Sequence, residues 1–223
     1  MTEDIFEFWS RIGSAETVHP ADRKVFQRLG KDGHRFVHQA LPGCYMGRLR
    51  SAPVVLLFMS PGYSEQDAEM ATLADWQDWH VRQRNGDEPL PMASVPGRNW
   101  WIRRTSFLGA APEVVATNVA ILNIGCYHSK EMYDPELLAA LPSSRVCLNW
   151  AQEVLFPTAE RGERVVVCLR SAKFWGLRPG AEYPGTLFAP RVNRAGDMLK
   201  KDFEDQDKRS RVIEAALVKM GLQ

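Results

Sequence analysis

Three apolar, β-rich runs constrain this chain most. Val54-Val55-Leu56-Leu57-Phe58-Met59 is continuous, and residues 114–124 and 164–169 read the same way. A strand apolar on both faces suits the centre of a parallel sheet covered on both sides. Helical composition alternates with these runs, over residues 4–12, 21–29, 66–84, 99–108 and 134–141 and from Pro142 onward. A fourth short strand is expected at 186–188, and a closing helix at 203–220. Alternating strands and helices predict an α/β fold. The expectation is a three-layer α/β/α sandwich with a mainly parallel sheet of about four strands. No linker or repeat interrupts it, so one domain over 1–223 is expected, with 1–50 as an N-terminal helical extension packed on it.

Composition excludes several classes. Lys plus Arg number 28 and Asp plus Glu 27, for a formal charge of +1. That balance excludes a histone-like polycation, yet a neutral chain can still carry a basic face. No run approaches the roughly 18 apolar residues that cross a bilayer, so no membrane partner is expected. The first residues, with Glu3, Asp4 and Glu7, do not read as a signal peptide. The four cysteines are scattered with no CxxC pair. A cytoplasmic protein without a disulfide framework or metal site is expected. Seven Trp and ten Phe are a rich supply of flat side chains for a core or for stacking on a ligand.

In parallel sheets, ligands bind beyond the carboxyl ends of the strands. Four polar clusters fall there. Ser60-Pro61-Gly62-Tyr63-Ser64 follows the first strand, and its glycine permits close ligand approach. The same residues suit a plain strand-to-helix turn, with Ser64 as N-cap and Asp67 at N3. Asn123 and Tyr127-His128-Ser129 follow the second strand. Asn123 offers a donor and an acceptor, and His128 suits acid–base or hydrogen-bonding work. Arg170 and Lys173 follow the third strand. Arg191, Asn193 and Arg194 follow the fourth, where Asn193 also suits an N-cap. The arginines and Lys173 are candidate phosphate contacts. The segment Arg98-Asn99-Trp100-Trp101-Ile102-Arg103-Arg104 mixes aromatics with cations, as single-strand binders do.

From Arg48 to Leu199 this ordering resembles the uracil-DNA glycosylase superfamily. Ser60-Pro61-Gly62 looks like its first motif, and Asn123 matches its base-reading Asn. Phe188-Ala189-Pro190-Arg191 stands in the place of its last motif. The pattern with Tyr63, Asp67, Tyr127-His128-Ser129 and Arg170 is similar to a divergent, uncharacterised bacterial branch, which implies the fold and no established reaction. Three positions depart from the superfamily. Ser60 and Met59 stand where acidic or amide residues serve, and Ala189 replaces the motif's His. The iron–sulfur branch also needs an N-terminal CxxC, so no cluster or other cofactor is expected.

The resemblance implies a protein that binds DNA or a nucleobase-like small molecule, with Ser60 and His128 as candidate catalytic groups. Pro61, Gly62, Tyr63, Ser64, Asn123, Tyr127 and Ser129 would contact the base or its sugar. Because of the departures, binding is expected ahead of hydrolysis. Two alternatives stay open: a non-catalytic scaffold on the same fold, and a small-molecule hydrolase using His128 with Ser64 or Cys126.

Overall fold

A computed structural model describes residues 3–93, 95–131, 135–199 and 208–222. The protein is mixed α/β. Its helices are α1 (Ile5–Ser10), α2 (Arg23–Leu29), α3 (Glu65–Ala71), α4 (Ala74–Gln83) and α5 (Arg98–Thr105), then α6 (Pro112–Asn118), α7 (Pro142–Trp150), α8 (Phe156–Glu160) and α9 (Lys208–Lys219). Its strands are β1 (Tyr45–Met46), β2 (Val54–Phe58), β3 (Val119–Asn123), β4 (Val165–Cys168) and β5 (Leu187–Phe188). They form one sheet in the order β1-β3-β2-β4-β5. The β3–β2, β2–β4 and β4–β5 pairs are parallel, and β1 runs antiparallel to β3.

β2 is central, and every residue in it is buried. Successive side chains leave opposite faces of a strand, and the core divides accordingly. Val55, Leu57, Ala120, Leu122, Val166 and Cys168 pack with residues of α1, α2, α7 and α8. Val54, Leu56, Phe58, Val119, Ile121, Val165 and Val167 pack with residues of α5, α6 and α9. Residues before position 50, among them Phe6 and Trp9, share the first cluster with the sheet. A third, small cluster joins Leu41, Ala71 and Trp76, and seats α3 and α4 beside the sheet.

The structure corrects several boundaries. The apolar run 114–124 is a helix joined directly to a strand. Pro112 sits in the first turn of α6, Thr117 Oγ1 and Asn118 Nδ2 donate to carbonyls one turn back, and Val119 caps the helix in extended geometry. With no polar loop between them, helix and strand read as one element. Residues 66–84 form two helices, because the chain turns at Thr72, whose hydroxyl donates to Glu69 O at 2.7 Å. The expected sheet of about four strands gains the antiparallel β1, too short for periodicity to reveal. Gly47 sets its exit at φ 84°, with room for no Cβ, since Val119 O would lie 2.6 Å away.

From Pro142 to Glu160 the helix runs on through a widened turn at Ala151–Leu155. Pro157 offers no N–H there, and a wider turn accommodates its missing bond. The short helix expected from Asp134 is a tight turn over Pro135–Ala140, and Asp134 itself lies outside the described residues. So do 203–207 at the start of the expected last helix.

Candidate functional site

A cleft of about 1030 Å³ opens beyond the carboxyl ends of β2, β3 and β4. β2 supplies Phe58 and the turn Met59 to Ser64; β3 supplies Asn123 and, after it, His128 to Glu131. Arg170 and Ser171 follow β4, and Arg194 comes from the loop after β5. α4 and α5 close the other side with Trp76, His80, Trp100 and Arg103. The cleft thus joins Ser60, Pro61, Gly62, Tyr63, Ser64, Asn123, His128, Ser129, Arg170 and Arg194, ten of the residues expected at the site.

Backbone hydrogen bonds hold the two central turns together. Gly125 N donates to Met59 O at 2.7 Å, and Ser129 N to Pro61 O at 3.4 Å. The His128 ring lies between two carbonyls: Nδ1 is 2.6 Å from Gly62 O, and Nε2 3.0 Å from Leu41 O. Carbonyl oxygens only accept, so an N–H on either nitrogen donates to the carbonyl it faces. His128 is therefore a fastener of the cleft wall, with no nitrogen to spare for a ligand. Ser64 plays the plain role weighed for it: its N–H and its hydroxyl both donate to Asp67 Oδ2 at 2.7 Å, at the start of α3.

Asn123 sits on the floor, only 6% exposed. Its Nδ2 donates to Gly43 O at 2.9 Å, which fixes the amide and leaves Oδ1 without a partner among the described residues. Phe58 and Trp100 form an aromatic wall, their rings edge-on at 4.8 Å. Tyr63 is half-buried at the rim, with its hydroxyl donating to Glu65 at 3.1 Å and Lys130 Nζ 5.5 Å from its ring. Arg103, Arg170 and Arg194 are exposed and make no ion pair among the described residues. Lys130 is paired with Glu65 at 3.4 Å, and the three arginines outnumber the lining acids Asp67 and Glu131, so the mouth is basic although the chain is nearly neutral. Ser171, the one non-glycine described residue with positive φ (62°), lies on this lining.

Four expected residues lie elsewhere. Tyr127 is a core residue, 1% exposed, and its hydroxyl donates to Asp22 at 2.5 Å and accepts from His19 N at 3.1 Å. The irregular chain after β3 keeps Cys126 and Tyr127 in the core, while the next two residues, His128 and Ser129, reach the cleft. Lys173 is exposed away from the cleft, over the ring of Phe174 at 4.6 Å. Arg191 packs on the Gly180 turn, its Nε crowding the place a Cβ would take there. Asn193 caps no helix; it closes a tight turn, bonding Asp197 through both backbone and side chain.

The Cys126–His128 pairing also fails. Cys126 is 1% exposed, and its thiol meets Ser143 Oγ at 3.5 Å. Burial, with the charge of Asp22 second, pushes that thiol well above its ordinary pKa, so it is no nucleophile.

The residues missed from sequence are on α4. Trp76, His80 and Gln83 are its buried positions, an i, i+4, i+7 stripe in which a His stands between a Trp and a Gln. That spacing was readable, but nothing local says that the stripe borders a cleft. Comparison with known protein families, curated proteins and solved structures returned no significant match.

Proposed function

We propose that the cleft takes a nucleobase from single-stranded or locally opened nucleic acid, and that binding dominates over hydrolysis. The observation that carries this reading is the convergence of the Ser60-Pro61-Gly62 turn and Asn123 in one basic-mouthed, aromatic-walled cleft. Each part suits one part of a nucleotide. Asn123 Oδ1 accepts from a ring N–H, Trp100 and Tyr63 offer stacking faces, and Arg103, Arg170 and Arg194 attract phosphates. The α/β/α layering of the uracil-DNA glycosylase superfamily belongs to the same reading. So does the placing of the base beyond the strand ends after flipping.

Weak or absent turnover follows from the chemistry on hand. Hydrolysis needs an orienter for water and a donor for the departing base. Met59 offers neither, and Ser60 alone is a poor orienter. Ala189 is fully buried in the core and does not line the cleft. His128, the candidate acid, has both nitrogens on carbonyls. A hydrolase built on Cys126 and His128 is disfavoured for the same reasons.

The test is incubation with single- and double-stranded DNA carrying uracil, hypoxanthine or a mismatch, with binding and abasic product both measured. The expected result is salt-sensitive binding, strongest to single strands, with little or no product. Absence of binding at low salt would sink the reading, and rapid release of base would overturn its non-catalytic half.

A further inference from the structure

The cleft has two imidazoles, and only one is committed. His128 is held at both nitrogens, whereas no described residue hydrogen-bonds the ring of His80. This is unusual for a side chain only 7% exposed, because buried polar groups are nearly always paired. The polar atoms of His80 are not sealed in the core either: the sealed and partnerless ones belong to residues such as Trp9, His38 and Arg84. The remaining opening is the cleft, whose wall His80 forms.

The ring is also held in place. Trp76 meets it edge-on at 5.0 Å and Trp79 at 5.2 Å, and the two tryptophans stack on each other at 4.6 Å. A polar edge locked by packing is already arranged for a ligand and loses little freedom on binding.

We propose that His80 is the specificity-determining contact of the cleft, its imidazole hydrogen-bonding the base through one ring nitrogen. This rests on the nucleobase reading given above. Burial above all, with the charges of Arg84 and His128, pushes its pKa down to about 3. The ring is therefore neutral near pH 7 and keeps both a donor and an acceptor. With Asn123 Oδ1 as a further acceptor, the cleft selects a base with an amide- or imide-like edge and discriminates against an apolar ring of the same shape. Leaving such polar groups unpaired is what makes rejection of an isostere strong.

The experiment compares two short single strands, oligodeoxyuridylate and the same strand with difluorotoluene in place of the base. Wild type is expected to prefer the first. His80→Phe keeps the flat shape and should lower that preference about tenfold, while His80→Gln, which keeps a donor and an acceptor, should stay within about threefold of wild type. A merely structural role would weaken both strands alike and leave the ratio intact, which would overturn the proposal. In wild type, the ring nitrogen resonances of His80 should move when oligodeoxyuridylate is added. Unmoved resonances in a bound complex would overturn the proposal without any variant. Should wild type bind neither strand, the nucleobase reading itself fails and this inference with it; unaltered discrimination in His80→Phe removes the inference alone.

Discussion

At the scale of single residues, neighbours in sequence have opposite duties. Tyr127 and His128 are adjacent, yet one holds the core and the other fastens the cleft. The Tyr127 hydroxyl joins Asp22 and His19, while Asp22 also accepts from Ser143 N at 3.0 Å. Tyr127→Phe removes one donor to the carboxylate and the acceptor of His19 N–H, both buried. It should destabilise the protein by about 1–3 kcal/mol in urea denaturation and leave affinity for oligodeoxyuridylate unchanged. A loss of affinity at full stability would return Tyr127 to the site. Sequence singled out Tyr127, His128 and Ser129 together, because a polar cluster at a strand end looks the same whichever way each side chain turns. His80 escaped notice for the converse reason: a histidine on a helix stripe looks like core until the cleft beside it is known.

At the scale of elements, the strong patterns were readable and the junctions were not. β2 and β4 are marked by continuous apolar runs, and Ser64 with Asp67 marked the start of α3. The α6–β3 junction was hidden because both elements are apolar and no loop parts them. β1 was hidden because two residues carry no period; its position is set by a backbone fit that no pattern records. Gly47 makes that fit, so Gly47→Ala should cost about 2–4 kcal/mol through the left-handed backbone and the collision with Val119 O. Hydrogen exchange should show the loss first at β1 and its partner β3. A neutral substitution would mean that β1 is dispensable to the sheet.

At the scale of the whole molecule, charge and burial set the response to solvent. Exposed Arg170 and Arg194 face the cleft, whereas exposed Lys173 does not. Arg170→Ala and Arg194→Ala should each lower the salt slope of nucleic-acid binding by about 1, and Lys173→Ala should leave it unchanged. Equal effects at all three positions would make the basic edge diffuse.

Acid sensitivity follows from buried histidines. Burial lowers the pKa of His19, His34, His38 and His80 below the ordinary 6.5. Each binds its proton more readily in the unfolded chain, so stability is complete above about 6.5 and falls as the pH drops below it. For His80 the loss continues down to about 3. The urea midpoint should therefore be lower at about pH 5 than at about pH 7.5, and His80→Phe should flatten the slope. An unaltered slope would mean that His80 is not a neutral buried group.

The amino-acid sequence by itself determined the mixed α/β class, the buried central strands and the strand ends where polar residues gather. These are local facts, carried by apolar runs and by the residues that stop them. Only the tertiary structure decided which polar residues meet. Sheet order brings the turns after β2, β3 and β4 side by side, and α4 brings His80 to the same cleft. It also decided which candidate groups are already engaged. His128 has its nitrogens on Leu41 and Gly62 carbonyls and Ser64 is held by Asp67, whereas no described residue hydrogen-bonds His80 or Asn123 Oδ1. Hydrogen-bond satisfaction is a three-dimensional property, so that division exists only once the chain has folded.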